Sequence, residues 1–180
     1  SLWSDEGWTI ASTDDTSPAE IITDWVKPDV HPPLFFLGLR GWRVFTGNSI
    51  FEMRYYSVML SLLGIVLAYR LGKSLFNERA GLFAALFYGL HDLVNVLAQE
   101  VRHYPQQMLL VTLTMWLYWR FYQQVSREQS PSRSRAIAFI LPGTALLYTH
   151  YWGGFILFGM GLHTLLTQWP NRPTFRRLFT

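Results

Sequence analysis

The chain contains no cysteine among its 180 residues, so neither a disulfide nor a thiolate metal site contributes to its architecture, and cysteine usage gives no reading of the redox compartment. Charge is also scarce. Asp, Glu, Lys and Arg make up 15% of the chain, against the roughly 25% usual for soluble domains. The formal net charge of +3 is too small to point to nucleic acid, and none is expected as a partner. Internal repeats with a period of roughly 20 to 50 residues are not evident, and no signal-peptide pattern opens the sequence. We expect a fragment that lacks at least one upstream membrane helix and an unknown length downstream.

Apolar and aromatic side chains fill the space that charge leaves. Half of the residues are hydrophobic and 17% aromatic, yet mean hydropathy is only +0.14. The reason is local: the first fifty residues are polar, and long apolar runs follow. Residues 9–33 are rich in Asp, Thr, Ser and Pro and end in Lys27-Pro28-Asp29-Val30-His31-Pro32-Pro33, a stretch expected to be extended or turning. Leu34 to Phe45 mixes apolar residues with Arg40 and Arg43, three apart and so on one face of a helix, which suits an amphipathic helix lying in a membrane interface.

From Arg54 onward the apolar runs predict membrane crossings at about 54–76, 80–98, 104–122, 136–150 and 152–169. The final stretch, Ala136 to Trp169, is too long for one crossing at about 20 residues and divides around Thr149-His150-Tyr151-Trp152. The expected architecture is therefore all-α. Residues 1–53 form an extracytoplasmic first loop with its interfacial helix, and residues 54–180 form a polytopic transmembrane bundle of about five spans.

The charges provide an independent check on this topology. Five alternating crossings put ten of the fifteen Lys and Arg residues, including Arg70, Lys73, Arg127 and Arg177, on the side opposite the opening loop. Of the twelve acids, only Glu78 and Glu128 fall there. By the positive-inside rule that side is cytoplasmic and the opening loop is outside. The aromatic belt, which includes Trp42, Trp116, Trp119 and Trp169, reads as interfacial anchoring.

That topology collects the chemically capable groups on the outer face. The opening loop brings Asp5, Glu6 and His31, and Arg54 opens the first span. The turn between the second and third spans brings Asp92, Gln99, Glu100, Arg102, His103 and Tyr104, and the last turn brings Tyr148, Thr149, His150 and Tyr151. Ionisable groups at membrane depth are costly and mark substrate or ion paths. An acid can take a proton from an acceptor hydroxyl, and arginines can hold an anionic phosphate. Each group also has a plainer reading. Ser4, Asp5 and Glu6 suit a helix N-terminus, Arg54 a snorkelling anchor, and His91 a local hydrogen bond. His31 and His150 have no metal-ligand spacing, so no metal ligands are assigned.

Trp3-Ser4-Asp5-Glu6-Gly7-Trp8, then His31-Pro32-Pro33-Leu34, Arg54, Gln99-Glu100-Val101-Arg102-His103-Tyr104 and Tyr148-Thr149-His150-Tyr151-Trp152-Gly153 occur in an order that resembles the N-terminal half of a bacterial polytopic glycosyltransferase. The resemblance is to the GT-C superfamily, in the branch of protein O-mannosyltransferases and aminoarabinose transferases. It implies a polyprenyl-phosphate-linked sugar donor, a lipid, glycan or protein acceptor, and inversion by a single displacement in the bacterial inner membrane. It matches Asp5 to a first-loop general base and Glu6 to a partner that orients the acceptor. Arg54, Glu100 and Arg102 match groups near the donor phosphate. His31, Asp92, Gln99, His150 and Tyr151 are further pocket candidates, while His103 receives no family role. No cofactor is certain, and a divalent metal is left open. The fragment alone is expected to be inactive. A transporter or channel subunit and a noncatalytic membrane assembly protein remain alternatives.

Overall fold

The computed structural model describes residues 4–29, 31–126 and 132–168. Trp3, Val30, Arg127, Glu128, Trp169, Arg172, Arg176 and Arg177, which entered the sequence expectations, lie outside them. Every regular element among the described residues is helical. The order is α1 (Ser4–Ser12), α2 (Pro18–Glu20) running into a π-helical turn (Ile21–Trp25), α3 (Leu34–Thr46), α4 (Ile50–Leu75), α5 (Glu78–Leu90), α6 (Asp92–Ala98), α7 (Tyr104–Ser126), α8 (Arg133–Leu147) and α9 (Gly153–Gln168).

Local chemistry sets most of these boundaries. Gly47 takes a φ of 108°, a left-handed conformation that ends α3. Two residues on, Ser49 and Glu52 form a reciprocal capping box that starts α4: the Ser49 amide donates to Glu52 Oε2 (2.9 Å), and the Glu52 amide donates to Ser49 Oγ (3.3 Å). Ser17 and Glu20 repeat the device at α2. Asn77 Oδ1 accepts from the Ala80 amide at 3.0 Å and caps α5. At His91 the backbone leaves the helical region (ψ 120°), and its Nδ1 accepts from the Leu93 amide at 3.2 Å. The run predicted as one span over 80–98 is therefore two helices, α5 and α6, bent by 57°.

α4 is the central helix of the bundle and packs against α5 and α7, while α7 also packs against α8. Its buried stripe is Met53, Ser57, Ser61, Gly64, Ala68 and Gly72, spaced three or four apart, so one face is almost wholly small. Its exposed residues include Leu62, Leu63 and Val66. Small residues inward and large apolar residues outward are the arrangement by which helices associate in lipid, where backbone approach rather than hydrophobicity drives contact. Near the Arg-rich end, a Cβ on Gly81 of α5 would lie 2.7 Å from the Tyr69 carbonyl oxygen, so the two backbones touch.

Among the described residues, α4 is long and apolar enough to cross a membrane, and α5 with α6 passes the same test as a bent pair. α7 has 23 residues but lower hydropathy, while α8 and α9 have only 15 and 16. These last two are shorter than the about 20 residues of a perpendicular crossing. By length and apolarity, the described residues thus hold one span, or two if the bent pair is one crossing.

At the end of the bundle that carries α1 and α3, Phe35, Leu39, Met53 and Val101 form a buried cluster with Ile10 and Tyr56 against it. Arg43 of α3 is buried beside this cluster. It donates to Asn48 Oδ1 (2.9 Å), the Ile10 carbonyl (2.9 Å) and Thr13 Oγ1 (2.7 Å), and it pairs with Asp14. It thus ties the end of α1 to α3.

The contact between α4 and α5 gives the first prediction. Gly81→Ile should force the helices apart and cost about 1–3 kcal/mol, seen as a lower melting temperature of the detergent-solubilised protein; an unchanged melting temperature would contradict the close approach.

Candidate functional site

Asp5 and Glu6 are consecutive on α1, so their side chains leave the helix about 100° apart and cannot share a face. Glu6 points inward and is 1% exposed. Its Oε2 accepts from Arg54 Nη2 at 3.0 Å, and its Oε1 accepts from Arg54 Nε at 3.3 Å and from the Val101 amide at 2.9 Å. A buried carboxylate is tolerated where it is paired and hydrogen-bonded in this way. Asp5 points outward with its side chain 69% exposed, and its Oδ2 lies 3.5 Å from Arg102 Nη2. The Asp5 carbonyl also accepts from Arg102 Nη1 at 3.2 Å.

The expectation that Glu6 works beside Asp5 on an acceptor therefore needs correction. Its carboxylate faces the interior and holds α1 to α4 and to the turn before α7. Arg54, expected near a donor phosphate, spends its guanidinium on this pair, although its side chain remains 36% exposed.

The segment from Gln99 to His103 follows the same inward and outward logic. Ser57 Oγ of α4 donates to the Glu100 carbonyl at 2.7 Å, while the Glu100 residue itself is half-buried. Arg102 is largely buried, stretched between Asp5 and the Tyr104 ring, whose centroid is 5.8 Å from the guanidinium carbon. Gln99 is exposed and donates to the Asn95 carbonyl at 3.0 Å. Asp92 is exposed in the first turn of α6, where an acid suits the helix dipole.

The last turn joins the same end of the bundle. The Leu34 amide at the start of α3 donates to the Tyr148 carbonyl at 2.9 Å. Gln106 Nε2 of α7 donates to Thr149 Oγ1 at 2.9 Å, and the Tyr56 hydroxyl donates to Gln106 Oε1 at 3.0 Å. Tyr151 is exposed in the turn itself. Thus α1, the His31 segment, α4, the turn before α7 and the turn after α8 meet, and Asp5, Glu6, Arg54, Arg102, His31 and His150 belong to one contact network.

The centre of that network is a residue that the family resemblance leaves without a role. His103 is 3% exposed, with its ring centroid 4.3 Å from His31 and 5.0 Å from His150. Burial, followed by the charges of His31, Arg102 and His150, pushes its pKa down to about 2, so the ring is neutral. Asp29 connects α1 to this group: Trp8 Nε1 donates to Asp29 Oδ2 at 2.9 Å, and Asp29 Oδ1 lies 2.7 Å from His31 Nδ1. The signal available in the sequence was that all three histidines fall in segments assigned to one side of the membrane.

The two acids should separate in a stability measurement. Glu6→Gln breaks a two-pronged ion pair whose carboxylate is fully buried and should cost up to about 3 kcal/mol, whereas Asp5→Asn weakens a pair whose carboxylate is exposed and should cost no more than about 1 kcal/mol. Denaturant or thermal unfolding in detergent reads both, and equal losses would contradict the inward and outward assignment.

No curated protein and no solved structure matches the chain. A profile of the family described as dolichyl-phosphate-mannose-protein mannosyltransferase matches residues 30–178, so Asp5 and Glu6 precede the matched region, whereas Arg54, Glu100, Arg102 and all three clustered histidines lie inside it. With most of its length so matched, the chain belongs to the dolichyl-phosphate-mannose-protein mannosyltransferase family, a family of membrane glycosyltransferases.

Proposed function

We propose that the protein transfers a sugar from a polyprenyl-phosphate-linked donor to an acceptor on the extracytoplasmic side of a bacterial inner membrane, with inversion and with Asp5 as general base. The observation that carries this reading is the exposed Asp5 carboxylate held 3.5 Å from Arg102 at the end of the bundle where the loops converge. An acid that takes a proton must reach the acceptor, and 69% exposure of its side chain allows that reach. Glu6 has the opposite character, and its role here is to position α1.

In the proposed step, an acceptor hydroxyl gives its proton to Asp5 as its oxygen attacks the anomeric carbon. The bond from that carbon to the phosphate oxygen breaks, and the phosphate leaves with the electron pair. Arg102, adjacent to Asp5, and the exposed part of Arg54 supply positive charge for the departing phosphate. Such fixed charge acts most strongly where water is scarce. Because inversion needs only one displacement, a single acid is sufficient and no covalent sugar–enzyme intermediate forms. Gln99 and Tyr151 are rim groups for sugar or acceptor hydroxyls, and Glu100, which the family resemblance sets near the donor phosphate, is taken as a third because its negative charge does not favour a phosphate.

The same reading takes α4, the α5–α6 pair, α7, α8 and α9 as five crossings, with the Arg-rich ends in the cytoplasm and α3 in the outer interface. The charge asymmetry of the sequence and membership of a membrane-integral family support it.

Asp5→Asn, made in the full-length protein that carries this chain, tests the base. Sugar transfer from a polyprenyl-phosphate donor should fall by about 10²–10⁴-fold, with donor binding and melting temperature retained; undiminished transfer would remove Asp5 as the base.

A further inference from the structure

We propose that His31, His103 and His150 bind a divalent transition metal of the zinc class through three imidazole nitrogens, with a fourth position open to water or to an oxygen ligand. The three residues come from the segment before α3, the turn before α7 and the turn after α8. Each offers a ring nitrogen, and these ligand atoms all lie within 4.8 Å of one another. A tetrahedral zinc with Zn–N bonds of about 2.0–2.1 Å needs its nitrogens about 3.4 Å apart. The ligand atoms need to close by no more than about 1.4 Å to reach that spacing.

Stacking of three neutral rings would account for the centroid distances of 4.3, 5.0 and 5.3 Å by themselves. It does not account for His103 Nε2. That atom is buried and has no hydrogen-bond partner, in a residue only 3% exposed. An orphaned buried polar atom costs about 1–3 kcal/mol, and a metal bond removes the penalty. An aromatic residue without nitrogens would fill the same space at no such cost.

The surroundings of His31 carry a second mark of a metal ligand. Asp29 Oδ1 lies 2.7 Å from His31 Nδ1 and accepts from the His31 amide at 3.1 Å, while Asp29 Oδ2 accepts from Trp8 Nε1 at 2.9 Å. A carboxylate on Nδ1 holds the proton there, orients the ring and leaves the lone pair on Nε2, as outer partners of metal-bound histidines do. His150 must exchange a bond to take part. Its Nδ1 accepts from the Trp152 amide at 3.1 Å, so its lone pair now points within its own turn and has to be turned toward the metal.

The donor set selects the metal class. Three neutral nitrogens suit zinc, cobalt, nickel or copper, whereas calcium and magnesium demand oxygen ligands. Three protein ligands with one open position is the stoichiometry of zinc sites that bind an exchangeable group. Binding here would clasp three loops of the outer end without touching Asp5 or Glu6, so the inference stands apart from the proposed sugar transfer.

Cobalt is the probe. Chelator-treated full-length protein should bind one Co²⁺ with the visible absorption of a tetrahedral site, Zn²⁺ should displace it, and Zn²⁺ should raise the melting temperature. His103→Phe preserves an aromatic ring in the buried position and should abolish the cobalt spectrum. His31→Gln and His150→Gln, at half-buried positions, should each weaken cobalt binding at least 10-fold, whereas His91→Gln, at a helix cap elsewhere, should not. Absence of one-to-one tetrahedral cobalt in the parent overturns the proposal. Undiminished binding in either folded glutamine variant overturns it equally, whether or not His103→Phe folds.

Discussion

One buried carboxylate determines how the end of the bundle that carries α1 is assembled. Glu6 cannot sit at 1% exposure without compensation. It finds that compensation in two other parts of the chain, the Arg54 guanidinium of α4 and the Val101 amide before α7. Meeting these demands fixes both the position and the rotation of α1. Once α1 is fixed, helical geometry turns Asp5 outward and brings it to Arg102. Trp8, on the same helix, reaches Asp29 and through it His31. The charge pair that defines the candidate site and the histidine cluster both follow from where Glu6 is held.

The rest of the bundle supplies a rigid frame for that assembly. α4 presents a face of Ser, Gly and Ala to its neighbours, and the approach of Gly72 and Gly81 sets the contact at its far end. At its near end the same helix carries Arg54, Tyr56 and Ser57, which grip Glu6, Gln106 and the Glu100 carbonyl. Interhelical packing and the site are consequently continuous along one element. A site built this way has Arg54 fixed on the end of a packed helix, the solvent-facing Asp5 on α1, and the buried Arg102 and His103 in the turn before α7.

The long helices were largely legible from the apolar runs, and the sequence also grouped Asp5, Arg54, Arg102 and His150, whose segments meet at one end of the bundle. The division between Asp5 and Glu6 was not. The buried residues of α1 are Glu6, Thr9 and Ser12, with Thr13 just after it, all polar, so hydrophobic periodicity carries no information about which way the helix turns. Its hydroxyls donate to carbonyls within the helix, and Arg43 of α3 reaches both Ile10 and Thr13, contacts that no local pattern encodes. The bend at His91 was hidden because a continuous apolar run reads as one helix whatever its ψ angles. His103 was passed over because its importance lies in a burial that depends on three distant segments.

The central claim is that Glu6 and Arg54 act as one unit to hold the α1 end of the bundle together, and a double-mutant cycle measures it most directly. Unfolding free energies of the parent, Glu6→Gln, Arg54→Gln and the double variant should give a coupling of about 1–3 kcal/mol, the second substitution costing little once the first is made. Losses that add to within about 0.5 kcal/mol would show two independent side chains and contradict the account.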